Sequence, residues 1–129
     1  MNWDSVIQAV SPHIVKIDTP TGSGTGFLCA YNEDKTFCCV ATANHVVADT
    51  DEWQQPLRLT DRAFQKTMFL KASERVIFTS ESTDTAVILV PPKKFDFPKE
   101  PIPLRPIETP LTIGVEVGWL GYRDGDLLE

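Results

Sequence analysis

Apolar residues Trp3, Val6, Ile7 and Val10 recur at helical spacing, and Ser11-Pro12 closes that run, which predicts a short lead-in helix over residues 1–12. From His13 the texture changes. Short runs rich in Val, Ile, Thr, Phe and Tyr alternate with Pro, Gly, Asn and Asp every eight to twelve residues or so, the rhythm of a barrel or sandwich. The candidate strands are 13–19, 24–31, 36–42, 56–60, 64–70, 74–80, 84–90 and 114–121, with two of them open to merging or loss. Between the last two, seven of the twenty residues from Pro91 to Pro110 are proline, which offers no ladder donor, so this stretch reads as loop or edge. Ala86-Val87-Ile88-Leu89-Val90 lacks the polar alternation of a strand with one wet face. Its second face is therefore expected to be covered, by a loop, another subunit or a further domain.

A chain of 129 residues with 42% hydrophobic content supports one domain with its own core. The net charge of -6 repels phosphate backbones and anionic lipid, so neither nucleic acid nor a membrane surface is an expected partner. The bases, such as Lys93-Lys94 and Arg62 with Lys66, are scattered as solvated surface. No apolar run is long enough to cross a bilayer, and Met1-Asn2-Trp3-Asp4 does not start a secretory signal. Three cysteines, an odd number, suit a reducing compartment, and a cytoplasmic location is expected. Cys29 and Cys38 face each other across a hairpin turning at Asn32-Glu33-Asp34-Lys35. A bridge between them is geometrically open, and so is the free-thiol state, since buried Cys packs as a small hydrophobe. Two histidines and three cysteines show no zinc spacing, and no metal or other cofactor is expected.

Two residues carry the candidate chemistry. Acyl transfer needs an imidazole that takes a hydroxyl proton and a buried carboxylate that fixes the ring's tautomer and stabilises the imidazolium. His45, following a strand of small and β-branched residues and preceding Val46-Val47, is placed at a strand end where it can project into a cleft. Asp84 opens an apolar strand, where it would also serve as a turn or cap residue. His13, within an expected strand, reads as core or surface filler.

Gly22-Ser23-Gly24-Thr25-Gly26-Phe27-Leu28 resembles a strand of the trypsin-like peptidases, particularly their HtrA-like bacterial members, and Thr42-Ala43-Asn44-His45-Val46-Val47 resembles their catalytic-histidine motif. Asp84-Thr85-Ala86-Val87-Ile88 is similar to their catalytic-aspartate motif, and Val117-Gly118-Trp119-Leu120-Gly121-Tyr122 to the strand that closes their first barrel. The resemblance implies a six-stranded antiparallel barrel over 13–122, with 123–129 as linker or tag. It implies His45 as general base, Asp84 as its orienting partner, and glycines 22, 24 and 26 in packing and turns. The family's Gly-x-Ser-Gly segment has no counterpart among Ser5, Ser11, Ser23, Ser73, Ser80 and Ser82, and Cys38 and Cys39 share the strand leading to His45, so neither replaces it. Asn44 stands where the family often has alanine, and Arg123 where it has proline. The final Leu128-Glu129 resembles a purification-tag junction and is equally an ordinary dipeptide.

Three readings follow. The chain is the first barrel of a serine endopeptidase, inactive alone and acting on polypeptide only with a second barrel; or a single-barrel binding or scaffold domain in which the dyad is a relic; or a half-barrel that self-associates through the outer face of 86–90.

Overall fold

The structure, a computed structural model, describes residues 2–62, 65–91, 97–103, 108, 112–116, 120–123 and 126–128. Helix α1 (Trp3–Val10) is capped by Asn2, whose side chain accepts from the Ser5 amide, and it passes through a 3-10 turn (Ser11–His13) into the sheet. Seven strands follow: β1 (Ile14–Thr19), β2 (Gly22–Tyr31), β3 (Cys38–Thr42), β4 (Leu57–Asp61), β5 (Thr67–Leu70), β6 (Val76–Ser80) and β7 (Thr85–Val90). A second helix, α2 (Asn44–Glu52), lies between β3 and β4, and a short hairpin of β8 (Gly121–Arg123) and β9 (Asp126–Leu128) ends the chain. The protein is mainly β, as the strand rhythm predicts.

All neighbours in the main sheet are antiparallel, in the order β5-β4-β1-β2-β3-β7-β6. The two edges, β5 and β6, are consecutive in sequence. In a flat seven-stranded sheet they would stand about 29 Å apart, yet the chain from Leu70 to Val76 spans at most about 21 Å. The sheet therefore curls. α2 touches β1 and β2 on one side and β6 and β7 on the other, which only a curled sheet allows.

The expected six-stranded closed barrel is corrected here: the main sheet has seven strands, and no ladder joins β5 to β6 among the described residues. The candidate strands 64–70 and 74–80 stay separate because a 3-10 turn (Ala72–Glu74) divides them. The Lys71 amide donates to Glu74 Oε1 at 3.0 Å and the Glu74 amide to the Lys71 carbonyl at 2.9 Å. Arg75 then buries its guanidinium at the corner, donating to the Leu70 carbonyl (3.0 Å) and to the Thr50 carbonyl near the end of α2 (3.4 Å).

Strand alternation sorts the faces. Val15, Ile17, Leu28, Val40, Leu57, Leu59, Met68, Leu70, Ile88 and Val90 point into the curl, joined by Val47 from α2. The expectation that both faces of 86–90 are covered holds in part: Ala86, Ile88 and Val90 are buried, whereas Val87 and Leu89 are only half-buried. The proline-rich segment lies against the sheet where it is described. Its prolines give no donors, and its carbonyls are bonded by side chains instead: Tyr31 donates its hydroxyl to Pro98 O (2.7 Å), Lys35 its ammonium to Lys99 O (3.0 Å), and His13 Nε2 bonds Glu100 O (3.1 Å). The Ile102 amide donates to Leu28 O, and Phe97 packs on the core.

Of the expected strand 114–121, residues 113 and 114 form a turn with Gly114 at φ +89, 115 and 116 are not in a strand, and 117–119 lie outside the described residues. Strand begins only at Gly121. Lys93-Lys94 and Glu129 also fall outside them.

Candidate active site

The register of β3 with β7 creates the site. Thr42 pairs with Ala86, so two residues further on Asn44 and Asp84 come opposite one another where both strands end. The chain after β3 turns directly into α2, and its cap position, Ala43, has no polar side chain. Asp84 supplies the missing cap from 39 residues away. Its carbonyl accepts from the Asn44 amide (3.1 Å) and its Oδ1 from the His45 amide (2.9 Å), while Oδ2 accepts from His45 Nδ1 at 2.6 Å. Because a carboxylate only accepts, Nδ1 carries the proton, and in the neutral ring Nε2 is left as the free basic nitrogen.

Asp84 ends the Glu81–Asp84 turn, its amide donating to Glu81 O (3.2 Å), with a left-handed backbone at φ +51. Asp adopts this conformation more readily than most residues. Hydrogen bonding from the His45 ring, then from the His45 amide, holds the Asp84 carboxyl below its ordinary value, and the Asn44 amide adds to this.

His45 was expected at a strand end; it is the second residue of a helix. The carboxylate was expected to be buried; the Asp84 side chain is 51% exposed and that of His45 73%. The pair is thus made, in the geometry of a base and its orienting group, on an open surface.

The glycine motif seats the helix. A Cβ at Gly24 would lie 2.6 Å from Val46 Cγ2, next to His45, and one at Gly26 would meet Val40 and Ile17 at 2.8 and 2.9 Å. Gly22 faces open space, so packing explains two of the three glycines. Between them Thr25 accepts at its carbonyl from the Thr42 hydroxyl (2.8 Å) and at its Oγ1 from the Tyr122 amide (2.6 Å), which fastens the end of β3 and the start of β8 to β2.

No serine hydroxyl bonds His45 Nε2 among the described residues. Ser11 is buried, donating to Ile7 O and accepting from Arg62, and Ser80 accepts from Thr83 in the turn before Asp84. His13 is a buried tie to the proline-rich segment, in a 3-10 turn rather than a strand. Cys29 and Cys38 do not face each other as expected. A bulge between Leu28 and Ala30 turns Cys29 toward Cys39, whereas Cys38 points into the core, where burial pushes its thiol up to about 12.

Among the described residues no cluster of three or more His, Cys, Asp or Glu is placed to hold a metal ion, and no helix is long and apolar enough to cross a membrane. Comparison with protein-family models and with curated proteins finds no match to the chain.

Proposed function

We propose that this chain supplies the base and orienting carboxylate of a trypsin-like serine endopeptidase, with the nucleophile and oxyanion donors contributed by a second barrel outside it. The observation that carries the reading is the two-point grip of one carboxylate on one histidine, Oδ2 on the ring at 2.6 Å and Oδ1 on the amide at 2.9 Å. Such a grip fixes both the tautomer and the orientation of the ring, which is what a general base requires. In the full enzyme His45 Nε2 takes the proton of the attacking serine and later returns it to the leaving amine, while Asp84 stabilises the imidazolium between these steps. A second barrel docked over the dyad would remove the water that now screens it.

The four motifs that resemble the peptidase family support the same reading, as does the curl that brings β5 and β6 together in the manner of a barrel. The test is the parent reading frame. Expressed whole, it should carry a Gly-x-Ser-Gly segment and hydrolyse a peptide ester. His45→Ala should abolish turnover, and Asp84→Asn should lower it by on the order of 10⁴. The 129-residue chain alone should neither turn over the ester nor react with a fluorophosphonate. A reading frame without the serine segment, or His45-dependent turnover by this chain alone, overturns the proposal.

A second reading, a non-catalytic binding or scaffold domain, is favoured by the exposure of the pair and by its capping role, which would keep Asp84 useful without chemistry. Under it, substitutions at Asp84 change stability and nothing else.

A further inference from the structure

Cys29 and Cys39 lie on adjacent antiparallel strands, but ordinary pairing would not bring them together. Leu28 pairs with Val40, and the next pair is Ala30 with Cys39, so Cys29 is the extra residue of a bulge in which two residues of β2 oppose one of β3. The bulge shifts the alternation by one place. Leu28 and Val40 point into the core, whereas Cys29, Ala30 and Cys39 are half-buried on the outer face. The Cys29 Sγ donates to the Cys39 carbonyl at 3.4 Å, so its sulfur already lies over the Cys39 backbone. Cys29 opposes Cys39 across the bulge beside Ala30, and with neighbouring strands about 4.8 Å apart it falls within the Cα reach of about 4.4–6.8 Å that a disulfide spans.

We propose that Cys29 and Cys39 are a vicinal thiol pair on the outer face of the sheet that closes to a reversible cross-strand disulfide by exchange with a low-molecular-weight disulfide such as oxidised glutathione. The Cys39 thiolate attacks one sulfur of the small disulfide, forming a mixed disulfide and expelling one small thiolate, which takes up a proton. The Cys29 thiol loses its proton and attacks the Cys39 sulfur, forming the internal S–S bond and expelling the second small thiol. The two protein thiols are oxidised and one small disulfide is reduced to two thiols.

The order follows from what each thiol faces: the Cys29 sulfur points at the Cys39 carbonyl, and beyond the effect of burial a charge at Cys39 disfavours one at Cys29, whereas the Cys29 side chain favours the thiolate of Cys39. Burial raises both thiols, so exchange is slow at neutral pH and accelerates about tenfold per pH unit below the thiol range. The closed bridge would lock the hairpin that feeds directly into Thr42 and His45.

The experiment incubates the reduced full chain with oxidised glutathione at a series of pH values, quenches with acid, and reads intact mass and proteolytic fragments. The expected product has lost two hydrogens, joins Cys29 to Cys39, and forms about ten times faster at pH 8 than at pH 7. Cys29→Ser should stop at a single glutathione adduct on Cys39. Cys38→Ala, which spares both sulfurs, should give the same bridge at a similar rate. A bridge that maps to Cys38, or a wild-type chain that yields only glutathione adducts or linked dimers, overturns the proposal.

Discussion

Asp84 performs three tasks with one residue: its backbone takes a left-handed turn, its carbonyl receives the Asn44 amide, and its two carboxylate oxygens divide between the amide and the ring of His45. The sequence offered turn, cap and catalytic partner as rival roles for this aspartate, and the structure shows that turn and cap are the means by which the carboxylate reaches the ring. Its carboxyl is held down mainly by the His45 ring and next by the His45 amide. The folded value therefore lies below the unfolded one, near about 3.9, so the carboxylate's contribution to stability is present above that value and lost as pH falls through the folded one. His45→Ala should raise the Asp84 midpoint, read by ¹³C-detected carboxyl titration, yet leave it below ordinary because the amide bonds persist. Asp84→Asn should keep the left-handed backbone and an amide oxygen for the cap while removing this group's part in the acid limb of the stability profile. An Asp84 midpoint indifferent to His45→Ala would mean that the ring contact does not exist in solution.

At the scale of elements, the seven strands of the main sheet were legible because alternation and turn residues are local signals: 13–19, 36–42, 74–80 and 84–90 are found as Ile14–Thr19, Cys38–Thr42, Val76–Ser80 and Thr85–Val90. α2 was not legible. The candidate strands stop at 42 and resume at 56 with no helix expected between them, the buried stripe is only Val47 and Thr50, and the usual start signal is absent, since the helix is capped by a carboxylate 39 residues away instead of by Ala43. The bulge at Cys29 was equally hidden, because a pairing register is a property of two strands and neither states it alone. What seats α2 is the groove left by Gly24. Gly24→Ala should push on the stiff, β-branched Val46 and destabilise the fold by about 1–3 kcal/mol, displacing His45 with it, because the added methyl would lie 2.6 and 2.8 Å from the two Val46 methyls. Gly22→Ala, two residues earlier on the same strand with nothing within 4 Å, should stay within about 0.5 kcal/mol. Urea midpoints of the two variants test this directly, and equal losses would show that Val46 does not occupy the groove.

Across the whole molecule the convex face of the sheet is divided. On the β1, β4 and β5 side it carries Lys16, Asp18, Arg58, Thr60 and Thr67 around one exposed aromatic, Phe69, with Asp18 paired to Lys16 at 3.6 Å and to Arg58 at 3.1 Å. On the other side one register row runs Phe27, Ala41, Val87, Phe78 from β2 to β6, and the next runs Cys39, Leu89, Val76. Phe78 is 61% exposed and Val76 51%, both on β6, an edge strand of the sheet among the described residues. Apolar rows that lead to a sheet edge are the kind of surface to which another chain can add. In the peptidase reading that chain is the second barrel; in its absence a second copy has the same chemistry to offer. The net charge of -6 opposes self-association through like-charge repulsion, and salt screens it. Sedimentation should therefore find the isolated chain associating more strongly as sodium chloride rises, the reverse of what contacts made by ion pairs such as Asp18–Arg58 would give. Phe78→Ser, which leaves the charge untouched, should weaken association about ten- to a hundredfold, since burying one phenyl ring contributes about 1.5–3 kcal/mol. A chain that stays monomeric at high concentration and high salt, or one whose dimer ignores Phe78→Ser, would show that this half of the sheet is tolerated exposure rather than a contact surface.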